Sequence, residues 1–173
     1  MTVLVLTHRL PFPPNRGDRV RAYHLVRCLQ QHAEVRVVSL VHDRGEAAAA
    51  AELERMGIRT WTAHVPRFRN LLRGAAALGG NAALTHVLLD SPEIHDAIRD
   101  AVTDGAPDVV LAYCSGMARF ALEPPLRDLP LIVDFVDVDS AKWSDFARMS
   151  RHPRRFVYQR ESHRLAEIGR AHV

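Results

Sequence analysis

Apolar positions in this chain come as short continuous runs that alternate with stretches of helical periodicity. Residues 3–6, Val3-Leu4-Val5-Leu6, form an unbroken β-branched-rich run, the pattern of a strand buried on both faces. Residues 34–41 carry four valines in loose alternation and predict a second strand. Residues 58–63, 108–113 and 130–135 predict the third, fourth and fifth. A helix capped by Asp18, with Leu25, Cys28, Leu29 and His32 at helical spacing, follows the first strand. A second helix over 46–56 is closed by Gly57. Residues 67–78 predict a basic amphipathic helix, broken by Gly79-Gly80-Asn81. Ser91-Pro92-Glu93 has the makings of a helix start, with Ile94, Ala97, Ile98, Ala101 and Val102 on one face and Gly105 at the end. A short helix over 117–122 and helical sequence over 141–166, interrupted at Pro153, complete the pattern. Strand and helix alternating in this way predict an α/β fold: a Rossmann-like, doubly wound parallel sheet with right-handed crossovers and helices on both faces.

Composition narrows the class without changing the fold. The 173 residues suit one domain and are enough to bury a core without disulfides or metal. Hydrophobic residues are 47% and charged residues 25%, an ordinary globular balance. A net charge of +3 is too mild to call for nucleic acid as a partner. Lys142 is the only lysine, which together with the alanine runs points to a GC-rich coding sequence rather than selected guanidinium chemistry. Cys28 and Cys114 lie far apart, outside metal-ligand spacing, and read as reduced structural thiols. The amino-terminal apolar run is too short for a signal peptide, and no stretch approaches the roughly 20 apolar residues of a membrane span, so a cytoplasmic protein is expected.

In a doubly wound sheet, ligands bind beyond the carboxyl ends of the strands, and two loops there are unusual. The first, over 7–18, holds three prolines and then Asn15-Arg16-Gly17-Asp18. Gly17 lets a ligand approach the backbone, the following helix start presents free N–H groups, and Arg16, Arg19 and Arg21 surround it with cations. That set suits a phosphate or a phosphorylated acceptor, while a stiff surface turn with solvated arginines is an equal reading. The second, over 134–143, alternates acid with apolar residue, crowding its carboxylates if the strand continues. Lys142 and Arg9 are the expected counter-charges, Asp139 or Ser140 the expected helix cap, and Asp137 the better candidate for chemistry. The ten histidines never pair three or four apart on one predicted helix with a carboxylate, so no metal site is expected. Arg67, Arg69 and Arg73, interleaved with Phe68, Leu71 and Leu72, fit either a peripheral contact with an anionic membrane or a solvated helix covering the sheet.

Two stretches carry a resemblance. Thr7-His8-Arg9-Leu10-Pro11-Phe12-Pro13-Pro14-Asn15-Arg16-Gly17-Asp18-Arg19-Val20-Arg21-Ala22-Tyr23-His24 and Val133-Asp134-Phe135-Val136-Asp137-Val138-Asp139-Ser140-Ala141-Lys142-Trp143 resemble the amino-terminal domain of family 4 glycosyltransferases. They look most like the subgroup associated with the exosortase and PEP-CTERM exopolysaccharide system. The likeness spans residues 3–166. It implies a GT-B architecture and metal-independent hexosyl transfer with retention, needing no cofactor. The nucleotide sugar is a substrate, and the acceptor is an exopolysaccharide or other glycan at or near the inner face of the plasma membrane. It also implies that Asn15, Arg16, Gly17, Asp18, Arg19 and Arg21 approach the donor diphosphate and the acceptor. Asp137, Asp139 and Lys142 would then lie near the transferred sugar, Asp137 standing where many relatives carry a histidine and being the candidate catalytic group.

Residues 1–166 are thus expected to be the acceptor-side domain, with a donor-binding domain to follow and no turnover by this chain alone. The heptapeptide Glu167-Ile168-Gly169-Arg170-Ala171-His172-Val173 matches a translated sequencing adapter, so 167–173 is expected to be a non-native tail. Rival functions are a non-catalytic sugar- or phosphate-binding Rossmann-like module, a sugar-nucleotide epimerase, and a receiver domain. The receiver is disfavoured because the first strand ends in Thr7-His8-Arg9 rather than in acids.

Overall fold

The structure, a computed structural model, describes residues 1–78, 80, 82–135 and 139–171. Five strands, β1 (Thr2–Thr7), β2 (Glu34–Val41), β3 (Arg59–His64), β4 (Val109–Tyr113) and β5 (Leu131–Asp134), form one all-parallel sheet in the order β3-β2-β1-β4-β5. The fold is α/β and Rossmann-like, as the alternation of patterns predicts. Eight helices are described: α1 (Gly17–Leu29), α2 (Arg44–Arg55), α3 (Arg67–Ala77), α4 (Leu84–Leu88), α5 (Ile94–Thr103), α6 (Ser115–Ala121), α7 (Asp139–Met149) and α8 (Arg154–Ala171).

Strand order explains strand composition. β1 and β2 are internal, covered on both faces, and almost wholly buried, which is why β1 runs apolar without a break from Val3 to Leu6 and β2 is rich in valine, with Arg36 and Ser39 buried among its apolar residues. β3 and β5 are edges and carry the polar or open positions, Arg59 and His64 on one and the 55% exposed Ile132 on the other. Right-handed crossovers place α1 and α2 on one face and, because the chain then reverses direction across the sheet, α5 and α6 on the other.

The chain divides into two compact units. The sheet unit comprises Met1–Pro66 and Ser91–Asp134; the helical unit comprises Arg67–Asp90 and Phe135–Val173. In the sheet unit the core is built from Val3, Leu4, Val5, Leu6, Val37, Val38, Leu40, Ile94, Ile98 and Val110. In the helical unit α7 packs on α8 and α3 on α4. The buried Glu161 on α8 accepts hydrogen bonds from the backbone N–H groups of Leu84 and Thr85, thereby capping α4.

Several local expectations are corrected. The buried face of α1 is Arg19, Ala22 and Val26, whereas Cys28 and His32 are exposed and Leu25 and Leu29 only half-buried. Asp18 lies inside the first turn of α1, whose N-cap position is Arg16 with no side-chain cap bond. Ser91 stands three residues before α5 starts, and its hydroxyl does two things: it accepts from the backbone N–H of Glu93 at 3.3 Å, as a cap does, and donates to the carbonyl of His64 at 2.7 Å. β5 runs Leu131–Asp134, one residue shorter at each end than expected, and α7 begins at Asp139 rather than Ala141. No helix among the described residues is long and apolar enough to cross a membrane.

Candidate functional site at the carboxyl edge of the sheet

The strand register assembles the site. Thr7 pairs with Tyr113 and Tyr113 with Asp134, so β1, β4 and β5 end side by side. The sheet reverses its winding direction between β1 and β4, and a crevice at the carboxyl ends is the topological consequence. The proline-bearing loop and the tip of β5 therefore share one edge. Arg21 on α1 fastens them, donating from Nη2 to Asp134 Oδ1 at 2.8 Å and Oδ2 at 3.0 Å. The Tyr113 hydroxyl donates to the carbonyl of Asp18 at 3.1 Å, tying β4 to the first turn of α1.

His8 sits at this switch point. Its ring lies parallel to that of Tyr113, with centroids 6.1 Å apart and 4° between planes. Its Nε2 is 3.7 Å from Asp18 Oδ2, and its carbonyl accepts from His42 Nε2 at 3.1 Å. Burial pushes the imidazole below its ordinary value; the Asp18 carboxylate opposes this, and Arg9 and His42 add to it. Burial likewise raises the Tyr113 phenol. Thr7 Oγ1, His8 Nδ1 and Arg19 Nε are buried without a hydrogen-bond partner among the described residues. Such atoms are rare in folded proteins, and a functional edge is one place where they are tolerated. Cys114, immediately after β4, adopts φ 85° and ψ 156°, a region that only glycine enters freely.

Behind the loop stands a buried carboxylate that the sequence reading took only for the start of a helix. Glu46 on α2 is 5% exposed and accepts from Arg9 Nη1 at 2.6 Å, from Arg19 Nη2, and from the backbone N–H of His42 at 2.7 Å. Its only sequence signal was position: an acid in the first turn of a helix, three residues after the Asp43 that caps it. Arg19, 7% exposed, also donates to Asn15 Oδ1 at 3.4 Å, so this guanidinium holds the loop in shape.

The sequence-predicted residues are therefore distributed as follows. Asn15, Arg16, Gly17, Asp18, Arg19 and Arg21 lie together at the carboxyl edge, with Asn15, Arg16 and Gly17 exposed. A Cβ on Gly17 would meet open space, so the helix start is approachable from outside. The expected counter-charges are reassigned: Asp134 is met by Arg21, and Arg9 is engaged by Glu46. Asp137 lies outside the described residues. Asp139 opens α7, its side chain lying outside what the structure describes, and Lys142 is an exposed residue of that helix. Among the described residues no three His, Cys, Asp or Glu side chains gather into a group able to hold a metal ion. Compared with protein-family models, curated proteins and solved structures, the chain matches none.

Proposed function

We propose that the sheet unit is the acceptor-side half of a two-domain GT-B glycosyltransferase, one that moves a hexose with retention from a nucleotide sugar to an exopolysaccharide or other glycan. The supporting observation is that the first stretch and the opening residues of the second, Val133 and Asp134, meet at one edge of the sheet, through the pairing of Arg21 with Asp134. At that edge the start of α1 offers unpaired N–H groups and the positive end of a helix dipole, with exposed Arg16 beside it. A phosphoryl group fits there. The neutral His8 imidazole is suited to accept a hydrogen bond from an acceptor hydroxyl. Arg19 and Arg21 hold the loop and the strand tip in place, since each is already engaged by a carboxylate.

Neutralising the leaving diphosphate is the main electrostatic requirement of such a transfer, and in the resembled family that task falls to the donor-binding domain. The chain alone is therefore expected to be inactive. Incubation with nucleotide sugars and glycan acceptors should yield no transfer product, and turnover would overturn the half-cleft reading. Titration of the ¹⁵N-labelled chain with inorganic phosphate or a glycosyl phosphate should move the amides of Gly17, Asp18 and Arg19. Shifts at those amides without any donor-binding domain encoded in frame after residue 166 would favour a free-standing phosphate-binding module instead. No shifts at millimolar ligand would remove the site.

A further inference from the structure

The helical unit contains a helix turned inside out. At about 100° per residue, Phe68, Leu71, Leu72 and Ala75 on α3 fall on one stripe about 100° wide, and this stripe faces solvent: Phe68 is 77%, Leu71 63% and Leu72 59% exposed. The opposite side, which packs on α4, is made from Asn70 and Gly74. Asn70 donates to the carbonyls of Leu88 at 3.1 Å and Asp90 at 2.6 Å, and the absent side chain of Gly74 lets Leu88 approach closely. An ordinary surface helix does the reverse, burying its apolar stripe and exposing its polar one.

Charge identifies what the stripe faces. Arg67 and Arg69 lie along its two borders, both exposed and without an ion pair among the described residues. Arg73, further round, is held by Asp90 at 2.6 Å. The helical unit as a whole carries eleven basic against six acidic side chains, net +5, while the sheet unit carries twelve against fourteen, net −2. Residues 167–173 add one charge of each sign, so the asymmetry does not depend on them. An apolar stripe bordered by guanidiniums on a cationic body matches the interface of an anionic bilayer, where the apolar side chains enter the acyl boundary and the arginines meet lipid phosphates.

We infer that α3 is a membrane-surface anchor, lying in the plane of an anionic phospholipid leaflet through Phe68, Leu71 and Leu72, with Arg67 and Arg69 on the headgroups. This does not depend on the proposed sugar transfer, because α3 belongs to the other unit and uses none of the carboxyl-edge residues. The test is co-sedimentation of the full chain with vesicles of phosphatidylcholine alone or with 30 mol% phosphatidylglycerol. The partition coefficient should be at least tenfold higher on the anionic vesicles. Leu71→Ser with Leu72→Ser should lower it at least tenfold while the circular dichroism spectrum is unchanged. Arg67→Gln with Arg69→Gln, which leaves the stripe intact, should lower it severalfold and flatten its salt dependence. Absence of binding to the anionic vesicles overturns the anchor, as does binding that survives loss of both leucines. A sedimentation-velocity dimer without lipid that dissolves in the double leucine variant also overturns it, assigning the stripe to a second copy of the chain.

Discussion

Glu46 and His8 stand at the two extremes of charge burial at the carboxyl edge. Glu46 is buried but met by two guanidiniums and a backbone N–H, so its charge is compensated on every side. Removing it strands the buried Arg19 guanidinium, and breaking one side of a buried pair costs about 3 kcal/mol or more. Glu46→Ala is expected to lower the unfolding free energy by that amount in urea titration, and Glu46→Gln by less, because the amide oxygen still accepts. His8 is the opposite case: buried, stacked on Tyr113, and lowered below its ordinary value of 6.5 by desolvation. The unfolded chain then binds a proton that the folded chain resists, so stability rises with pH through this window. As pH falls from about 7 towards 5, His8 destabilises the fold progressively, until the pH reaches the lowered folded value and the penalty stops growing. His8→Gln should show a shallower loss of stability than the parent over that range. An identical slope in the two proteins would show that the imidazole is not desolvated in solution.

At the level of elements, the sequence predicted type and order well because the physics there is local. A continuous valine and leucine run marked β1, four loosely alternating valines marked β2, and Gly57, whose φ is 80°, marked the end of α2. Errors gathered where a side chain had a distant partner. Ser91 accepts from the Glu93 N–H ahead of α5, but nothing local announces that its hydroxyl also donates to the carbonyl of His64 across the chain. The buried stripe of α1 was read one step away, since no local rule anticipates an arginine buried against a glutamate 27 residues later. α3 was legible as amphipathic, but which face it buries depends on α4 and not on its own pattern. The start of α1 carries a sharper consequence. Its N-cap position is Arg16, with no side-chain bond to the first turn, an arrangement that leaves stability ungained and donors available. Arg16→Asp supplies the missing cap and should raise the unfolding free energy by about 1 kcal/mol. The same substitution fills the first turn with a carboxylate and should weaken phosphate binding at least tenfold. Phosphate binding that persists in Arg16→Asp would place the anion away from the start of α1.

Across the whole sheet unit, a second buried brace stands at the edge opposite the candidate site. The candidate site lies where β1, β4 and β5 end, whereas the best-connected cation lies near the start of β2. Arg36 is buried there and donates to the carbonyls of Gly105 at 2.6 Å and Ala101 at 3.3 Å, closing the carboxyl end of α5, and to Glu34 Oε1 at 2.9 Å. The site residues were partly legible because loop chemistry shows in sequence as prolines, glycine and arginines. This brace was not, since a lone arginine in a valine-rich strand gives no hint that helix carbonyls 65 and 69 residues later will meet it. Arg36→Met keeps the apolar stem and deletes the donors, leaving buried carbonyls unmet, and should cost about 2–3 kcal/mol. It should also alter the acid limb of the stability curve. The bond from Arg36 holds the Glu34 carboxyl below its ordinary 4.5, so this stabilisation is present above that value and lost as pH falls through the lowered one. In Arg36→Met that portion of the acid dependence should disappear, while phosphate affinity, set at the far edge, stays within a factor of two or so of the parent. Arg16→Asp predicts the reverse pairing, higher stability with lower affinity. Urea titrations and phosphate titrations on both variants therefore separate the two edges, and a loss of phosphate binding in Arg36→Met would mean that the site depends on the sheet's global integrity rather than on the geometry of its carboxyl edge.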